Sequence, residues 1–219
     1  MIRGTADTLA SGIVARLIEV VRLRDPALAD HGQRAAHIAA AVAEQMGCSE
    51  DEVDLTYLGA QLHDIGKLGV TEAVLWKPAG LTPVEWAQIR THPEKGHRLV
   101  AEVVHPDVAA GVLSHHERLD GMGYPNGVAA LTLPLLVRIV QVADAFDAIT
   151  SERPYQSALS SEFALAEITR CAGTQFDPDV VTALGQLLGD DIDLGGIIDL
   201  EGDDGAGPSS PADPFAATA

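Results

Sequence analysis

The sequence predicts an all-α protein, a bundle of about eight helices. Three observations predict it. Apolar residues recur at three- and four-residue steps and nowhere in the two-residue alternation of a half-buried strand. Helix-opening signals recur along the chain. Glycines stand where the apolar periodicity breaks off. With 219 residues, 47% of them hydrophobic, there is material for one substantial core. The expected organisation is a single domain over 1–189 followed by an acidic tail over 190–219.

In chain order, Leu9, Ile13, Leu17 and Val21 fall at four-residue steps and form one apolar stripe. Ser49-Glu50-Asp51-Glu52 is a capping box opening a helix whose apolar face is Leu55, Leu58, Leu62 and Ile65. Thr82-Pro83-Val84-Glu85 is another, with proline at the first helical position, where its missing N–H costs nothing. Arg118–Leu131 (RLDGMGYPNGVAAL) is dense in glycine, with a proline and an Asn-Gly pair, and reads as a structured loop. Pro134 opens Leu135–Thr150, and Asp177-Pro178 opens a last helix to about Leu188. Gly47, Gly173 and Gly189 sit where helices should stop. Trp76 and Trp86 are expected in the core, and no internal repeat is visible. From Asp190 onward the chain has seven Asp, one Glu and no Lys or Arg. Its last part, Glu201–Ala219, is rich in Gly, Pro, Ser and Ala and is expected to be disordered. Leu194–Leu200 is expected to pack back as a short segment, a docking peptide being the alternative.

Composition removes several function classes. Lys and Arg total 14 against 32 Asp and Glu, a formal charge of −18, which argues against a DNA or RNA polymer as the main partner. Aromatics at 4% are too few for a base-stacking platform. The two cysteines, Cys48 and Cys171, are far apart, which disfavours a disulfide scaffold and a thiolate zinc site. No apolar stretch reaches membrane-spanning length and the N-terminus lacks a cleavable signal pattern, so no membrane insertion and a cytoplasmic setting are expected.

Eight histidines are present, and their company matters more than their number. His31, His63-Asp64, His92, His115-His116 and Asp144 all fall on or near predicted helices, so a bundle can bring them together. A single histidine is more often structural than ligating. Imidazoles with carboxylates and no thiolates, taken as a set, suit a hard-to-borderline divalent metal such as Fe, Mn, Zn or Ni. An aspartate next to such a histidine can bridge two ions, and two ions about 3.5–4 Å apart can hold a phosphate and supply hydroxide for in-line attack. The chemistry indicated is metal-assisted phosphoester hydrolysis.

Local sequence narrows this further. His63-Asp64-Ile65-Gly66-Lys67 resembles the HDxGK element of the HD phosphohydrolase superfamily, and His115 to Pro125 (HHERLDGMGYP) resembles the HHExxDGxGYP signature of its HD-GYP branch. Around them stand His31-Gly32-Gln33-Arg34 (HxxR), Lys77–Thr82 (KPxxLT), His92–Gly96 (HPxxG), Val142–Ala148 (VADxFDA) and Arg153-Pro154-Tyr155. The likeness runs from about Leu17 to Leu188. The resemblance implies an HD-domain helical bundle and a cyclic di-GMP phosphodiesterase, opening the ring to pGpG and often continuing to GMP. It further implies two divalent ions, commonly iron or manganese. Asp64 would bridge them, with His31, His63 and Asp144 completing one shell and His92, His115 and His116 the other.

Other roles follow from chemistry placed on that resemblance. Lys67 can steady the phosphate and the charge that develops on it. Asp147, one turn after Asp144, can orient Lys67 or a ligand. Arg153 and Tyr124 match positions that contact the dinucleotide, while Glu117 and Asp120 are expected to fix the loop. His37, His97 and His105 match no ligand position. Some family members bind a third metal through a glutamate four residues before the first ligand histidine; here that residue is Ala27, so two ions are expected. The residue after Arg153-Pro154-Tyr155, often basic in the family, is Gln156, which removes one charge contact to substrate.

Only 30 residues precede His31, too few for the sensory domain many relatives carry, so regulation in trans through the GYP loop or the tail, or a fragment, is expected. Two other readings stand beside the leading one. They are an HD phosphohydrolase acting on another nucleotide, such as cyclic GMP-AMP, and a non-enzymatic module that binds cyclic di-GMP or a signalling partner.

Overall fold

A computed structural model describes residues 3–129, 132–152 and 158–189. Among these the chain forms ten α-helical segments, one a single turn, and a short 3-10 turn, with no strand. The segments are α1 (Arg3–Arg24), α2 (Pro26–Gln45), α3 (Glu50–Leu62), the 3-10 turn Ile65–Gly69, α4 (Glu72–Leu75), α5 (Pro83–Ile89), α6 (His92–Val100), α7 (Pro106–Ser114), α8 (Leu135–Thr150), α9 (Ser161–Arg170) and α10 (Pro178–Leu188). The all-α expectation holds.

Helix ends sit where capping chemistry puts them. Ser49 and Thr82 form complete capping boxes with Glu52 and Glu85, and Asp177 accepts from the Asp179 amide at the start of α10. Asp25 caps α2 through the Leu28 amide ahead of Pro26, a start signal of the same kind that the sequence reading passed over. Gly47 and Gly189 adopt φ of 77° and 83°, the left-handed region that lets a helix end without a Cβ clash.

The core is centred on α8. Every residue from Leu136 to Ile149 except Arg138 is buried, as expected for a helix apolar around most of its circumference. Buried in the middle of that apolar surface are two carboxylates, Asp144 and Asp147. Alanines 29, 35, 36, 39 and 43 and Gly32 line the buried side of α2, and side chains that short allow close approach of α3 and α8, both of which pack on it. His31 is thereby carried to the faces of those two helices.

Three local expectations are corrected. Among the described side chains of α1, Val14 and Val21 are buried and Leu17 packs against the core, while Ile13 is 37% exposed, so the packed face keeps Leu17 and Val21 of the expected stripe but not Ile13. The α3 helix stops at Leu62 instead of running through Ile65, and the chain passes through His63 and Asp64 into the tighter 3-10 turn. That turn is pressed against α6. Trp76 is 51% exposed, not core, with its indole N–H donating to Asp25 Oδ2 at 3.2 Å, and Trp86 is only partly buried. The apolar contacts near α4 are made instead by Val70, Val74 and Ile89, a small cluster apart from the main core. The expectations for Leu194–Leu200 and for the acidic tail lie outside the described residues.

Candidate metal centre

Helix ends build the centre. His63 ends α3 and Asp64 follows it, His92 opens α6, and His115 and His116 follow the last turn of α7, while His31 and Asp144 project from within α2 and α8. The structure brings all seven together in two groups that share Asp64. Ligand-capable atoms of His31, His63 and Asp64 lie within 4.8 Å of one another, as do those of Asp64, His92, His115 and His116. Asp144 joins the first group, its Oδ1 3.1 Å from His31 Nε2 and 3.7 Å from His63 Nε2. The two oxygens of Asp64 face different groups. Oδ2 is 3.4 Å from His63 Nε2, and Oδ1 is 3.2 Å from His92 Nε2 and 3.8 Å from His115 Nε2.

Proton placement tests whether these residues suit a metal. His63, His92 and His115 each direct Nδ1 at the carbonyl three residues back, Ala60 at 2.6 Å, Ile89 at 2.8 Å and Val112 at 3.0 Å. A carbonyl only accepts, so each Nδ1 carries the proton and each neutral ring presents a bare Nε2 lone pair inward. His31 also directs Nδ1 at an acceptor, Asp147 Oδ2 at 2.7 Å. The lone pairs of His92 and His115 confront one another, Nε2 to Nε2 at 3.0 Å, and His31 Nε2 is 3.3 Å from His63 Nε2. Asp64 Oδ1, Asp144 Oδ1 and His116 Nε2 are buried with no hydrogen-bond partner. Opposed lone pairs and orphaned carboxylate oxygens repel unless a cation lies among them. The donor set fits divalent metal ions.

The charge states agree. Burial holds His92 below its ordinary pKa, and holds His115 and His116 well below it with neighbouring imidazoles adding to the effect, so these rings stay neutral. Burial would raise Asp64 and Asp144. The Lys67 ammonium overcomes this at Asp64 and the hydrogen bond and charge of His31 overcome it at Asp144, so both carboxyls are held below their usual range. For His31 burial opposes protonation, yet Asp144 and Asp147 push its pKa up to about 9. His92, His115, His116 and the two carboxylates are thus in the protonation states a metal requires, whereas His31, held protonated by the carboxylates beside it, would release its second proton on binding a cation.

The surrounding residues hold the donors in place. Asp147 accepts from His31 Nδ1 and, through both oxygens, from Arg34 Nε at 2.6 Å and Nη2 at 3.0 Å, with Ser151 Oγ adding a bond at 3.0 Å. Asp147 therefore orients a donor histidine, and no contact between it and Lys67 is found among the described residues. Lys67 Nζ instead donates to Asp64 Oδ2 at 2.7 Å. Replacing Asp147 by asparagine keeps the shape but lets an amide N–H face His31 Nδ1, favouring the wrong tautomer. Metal affinity is expected to fall about 10–100-fold, measured by competition with a chromogenic chelator, while the fold is retained. An unchanged affinity would remove Asp147 from the site.

Glycines let the elements approach. A Cβ on Gly66 would stand 1.8 Å from the His92 carbonyl oxygen, and one on Gly123 would stand 2.4 Å from that of His116. The loop after His116 is pinned from inside. The buried Glu117 carboxylate accepts from the Asn126 amide at 2.7 Å and the Val128 amide at 3.1 Å. Asp120 pairs with Arg118 and accepts from the Met122 amide at 3.0 Å. The Leu119 and Asp120 amides donate to the carbonyls of Gln175 and Thr174, tying the loop to the α9–α10 connection. Tyr124 lies over His116, ring centroids 4.7 Å apart at 25°, with its hydroxyl buried and unpartnered.

Arg153 and Gln156 lie outside the described residues. His37, His97 and His105 stand apart from the cluster, and His105 caps α7 by accepting from the Asp107 amide. Sequence reasoning missed a role for Arg34, although its place three residues after His31 puts both on one helix face. It also missed Arg24, which donates to the carbonyls of Leu68 and Val70 and clamps the chain just after Lys67. No sequence signal marks that contact, which is made across more than 40 positions.

Comparison with known proteins adds independent findings. The family model described as "HD domain" matches residues 16–180. The cyclic di-GMP phosphodiesterase response regulator RpfG of Xanthomonas campestris is 41% identical over 78% of this chain and 46% of its own length. A cyclic di-GMP phosphodiesterase of Thermotoga maritima is 39% identical over 75% of this chain and 45% of its own. The 3'3'-cGAMP-specific phosphodiesterase 3 of Vibrio cholerae is 35% identical over 83% and 40%. The chain thus spans less than half the length of these relatives. Among solved structures, an HDG"Y"P protein from Bdellovibrio bacteriovorus superposes with a TM-score of 0.61 at 20% identity, covering 84% of this chain and 61% of that one. At such identity the likeness is one of fold.

Proposed function

This chain belongs to the HD-domain family, and from that footing we propose that it is a metal-dependent phosphodiesterase of the HD-GYP branch, hydrolysing cyclic di-GMP to pGpG and onward to GMP. One observation carries the proposal: two clusters of inward imidazole Nε2 atoms meet on the two oxygens of one buried aspartate. His31, His63 and Asp144 would hold one divalent ion, His92, His115 and His116 the other, and Asp64 both, with iron or manganese the metals of this reading and zinc or nickel its alternatives. When bound, such ions supply Lewis acidity toward a phosphodiester and lower the pKa of water.

The chain's own residues do the rest. Lys67 is 12% exposed beside Asp64, where its ammonium can swing to a phosphate oxygen and balance charge as the P–O bond breaks. Tyr124 walls the pocket and, with Gly123 and Pro125, holds it in shape. Arg153 is a second substrate contact in this reading. Glu117 and Asp120 keep the wall rigid. A signalling protein would meet the GYP loop, whose tip carries Met122 at 80% exposed, or the acidic tail. No described helix is long and apolar enough to cross a membrane, and the proposal places the protein with cytoplasmic nucleotides.

A second reading, cyclic GMP-AMP as substrate, is favoured by the Vibrio cholerae relative named for that activity. The test is to load the purified chain with Fe or Mn and supply cyclic di-GMP and 3'3'-cyclic GMP-AMP in parallel, following pGpG and GMP. Turnover of cyclic di-GMP, with no more than two ions per chain because Ala27 offers only a methyl group, is the expected result. Faster turnover of cyclic GMP-AMP would select the second reading. Binding without turnover under either metal would leave a binding module. Because the chain is acidic overall, KM is expected to change little with salt, as long-range steering contributes little. A steep dependence would contradict that.

A further inference from the structure

We propose that Arg90 is a substrate-binding residue, taking the second, non-scissile phosphate of the cyclic dinucleotide at the mouth of the metal centre. The inference rests on the phosphodiesterase reading above. Arg90 follows α5 as its C-cap, two residues before His92, and is exposed. Its guanidinium carbon lies 5.1 Å from the centroid of the Tyr124 ring. Tyr124 in turn stacks on His116, so Arg90, Tyr124 and His116 form one pile running from solvent to the metal-binding donors.

Three features give the pile a ligand-binding character. Arg22, Arg34, Arg118, Arg138 and Arg170 each pair with a carboxylate; Arg16, Arg24, Arg90 and Arg98 form no ion pair among the described residues, and of these four Arg90 is the one lying over an aromatic ring. A guanidinium lying on an aromatic face keeps its N–H edge free, in the fork geometry that suits two phosphate oxygens. The Tyr124 hydroxyl is buried and unpartnered, and it feels the charges of Asp64 and Asp144 as well as that of Arg90, so the ring spans the distance between the metal-binding carboxylates and the arginine. A cyclic dinucleotide carries two phosphates. With one among the metal ligands, the other extends toward the rim, where a protein of formal charge −18 must supply a local cation. Gln156 brings no charge to this sequence, and Arg90 brings one.

The experiment uses the metal-loaded full chain with two substrates, cyclic di-GMP and bis(p-nitrophenyl) phosphate, which has a single phosphate. For Arg90→Ala, KM for cyclic di-GMP is expected to rise about tenfold with kcat nearly unchanged, the loss of one charge-assisted contact. Hydrolysis of bis(p-nitrophenyl) phosphate, metal content and Tm should stay at wild-type values. Arg90→Lys, which keeps charge without the planar fork, should fall between. Equal losses on both substrates would mean Arg90 merely supports Tyr124 and would overturn the proposal. An Arg90→Lys protein no better than Arg90→Ala would indicate a neutral contact and overturn it too. Wild-type hydrolysis of bis(p-nitrophenyl) phosphate alone would remove the cyclic dinucleotide reading beneath it, whereas normal turnover of cyclic di-GMP by Arg90→Ala would remove Arg90 only.

Discussion

Asp64→Asn is expected to reduce turnover of cyclic di-GMP by at least about a thousandfold and to cut bound metal to one ion per chain or fewer. Among the described residues the carboxylate is the one group shared by both donor sets, with Oδ2 3.4 Å from His63 Nε2 and Oδ1 3.2 Å from His92 Nε2. Asparagine preserves its shape but removes the charge, and its NH2 end has no lone pair to give. One of the two groups then faces a donor where it needs an acceptor. Loss of the charge also frees Lys67, whose ammonium is 2.7 Å from Oδ2. Metal analysis and turnover on the same sample, with circular dichroism to show a retained fold, check this. Two ions per chain and activity within tenfold of wild type would show that Asp64 does not join the groups.

The second large effect is structural and reaches the same site through the backbone. Gly66→Ala places a methyl carbon 1.8 Å from the His92 carbonyl oxygen and 2.5 Å from the Gly96 amide nitrogen, both main-chain atoms that cannot rotate away. Either the 3-10 turn or the start of α6 must shift, so His92 moves off Asp64 while stability falls. A cost of about 3 kcal/mol, at the upper end for overpacking, corresponds to a fall in Tm of about 10 °C in a domain of this size. Metal affinity should fall with it. Gly80→Ala, where a Cβ meets nothing within 4 Å, is the control and should leave Tm and metal content unchanged. A Gly66→Ala protein as stable as the control would mean the two segments do not approach this closely.

The two substitutions show how differently the parts of this molecule are written in the chain. Capping residues at Ser49, Thr82 and Asp177 act on amides two or three positions away, so they are readable locally and the helices begin there. Leu136–Ile149 is apolar nearly all round, which announces a buried helix, and Asp144 and Asp147 stand out because a buried carboxylate needs a partner. The side of α1 that packs was legible only in part: Leu17 and Val21 pack as expected and Ile13 does not, because that depends on where α2 lies and not on α1 itself. Trp76 was misplaced for a related reason: size and apolarity favour burial, but a short segment at the edge of the fold offers an indole nothing deep to enter.

What the sequence determined alone was the inventory: an all-α chain, its helix starts and stops, and seven imidazole and carboxylate side chains of the right chemistry. These are properties of residue type and short-range spacing, set by backbone hydrogen bonding within a few positions. Only the tertiary structure decided which oxygen of Asp64 faces which histidines, which carbonyl fixes each ring's proton, that Asp147 and Arg34 brace His31, and that Arg90 lies on Tyr124. Those relations join residues tens of positions apart through packing of α2, α3, α6 and α8, and packing distances of a few ångströms between helices have no counterpart in linear order.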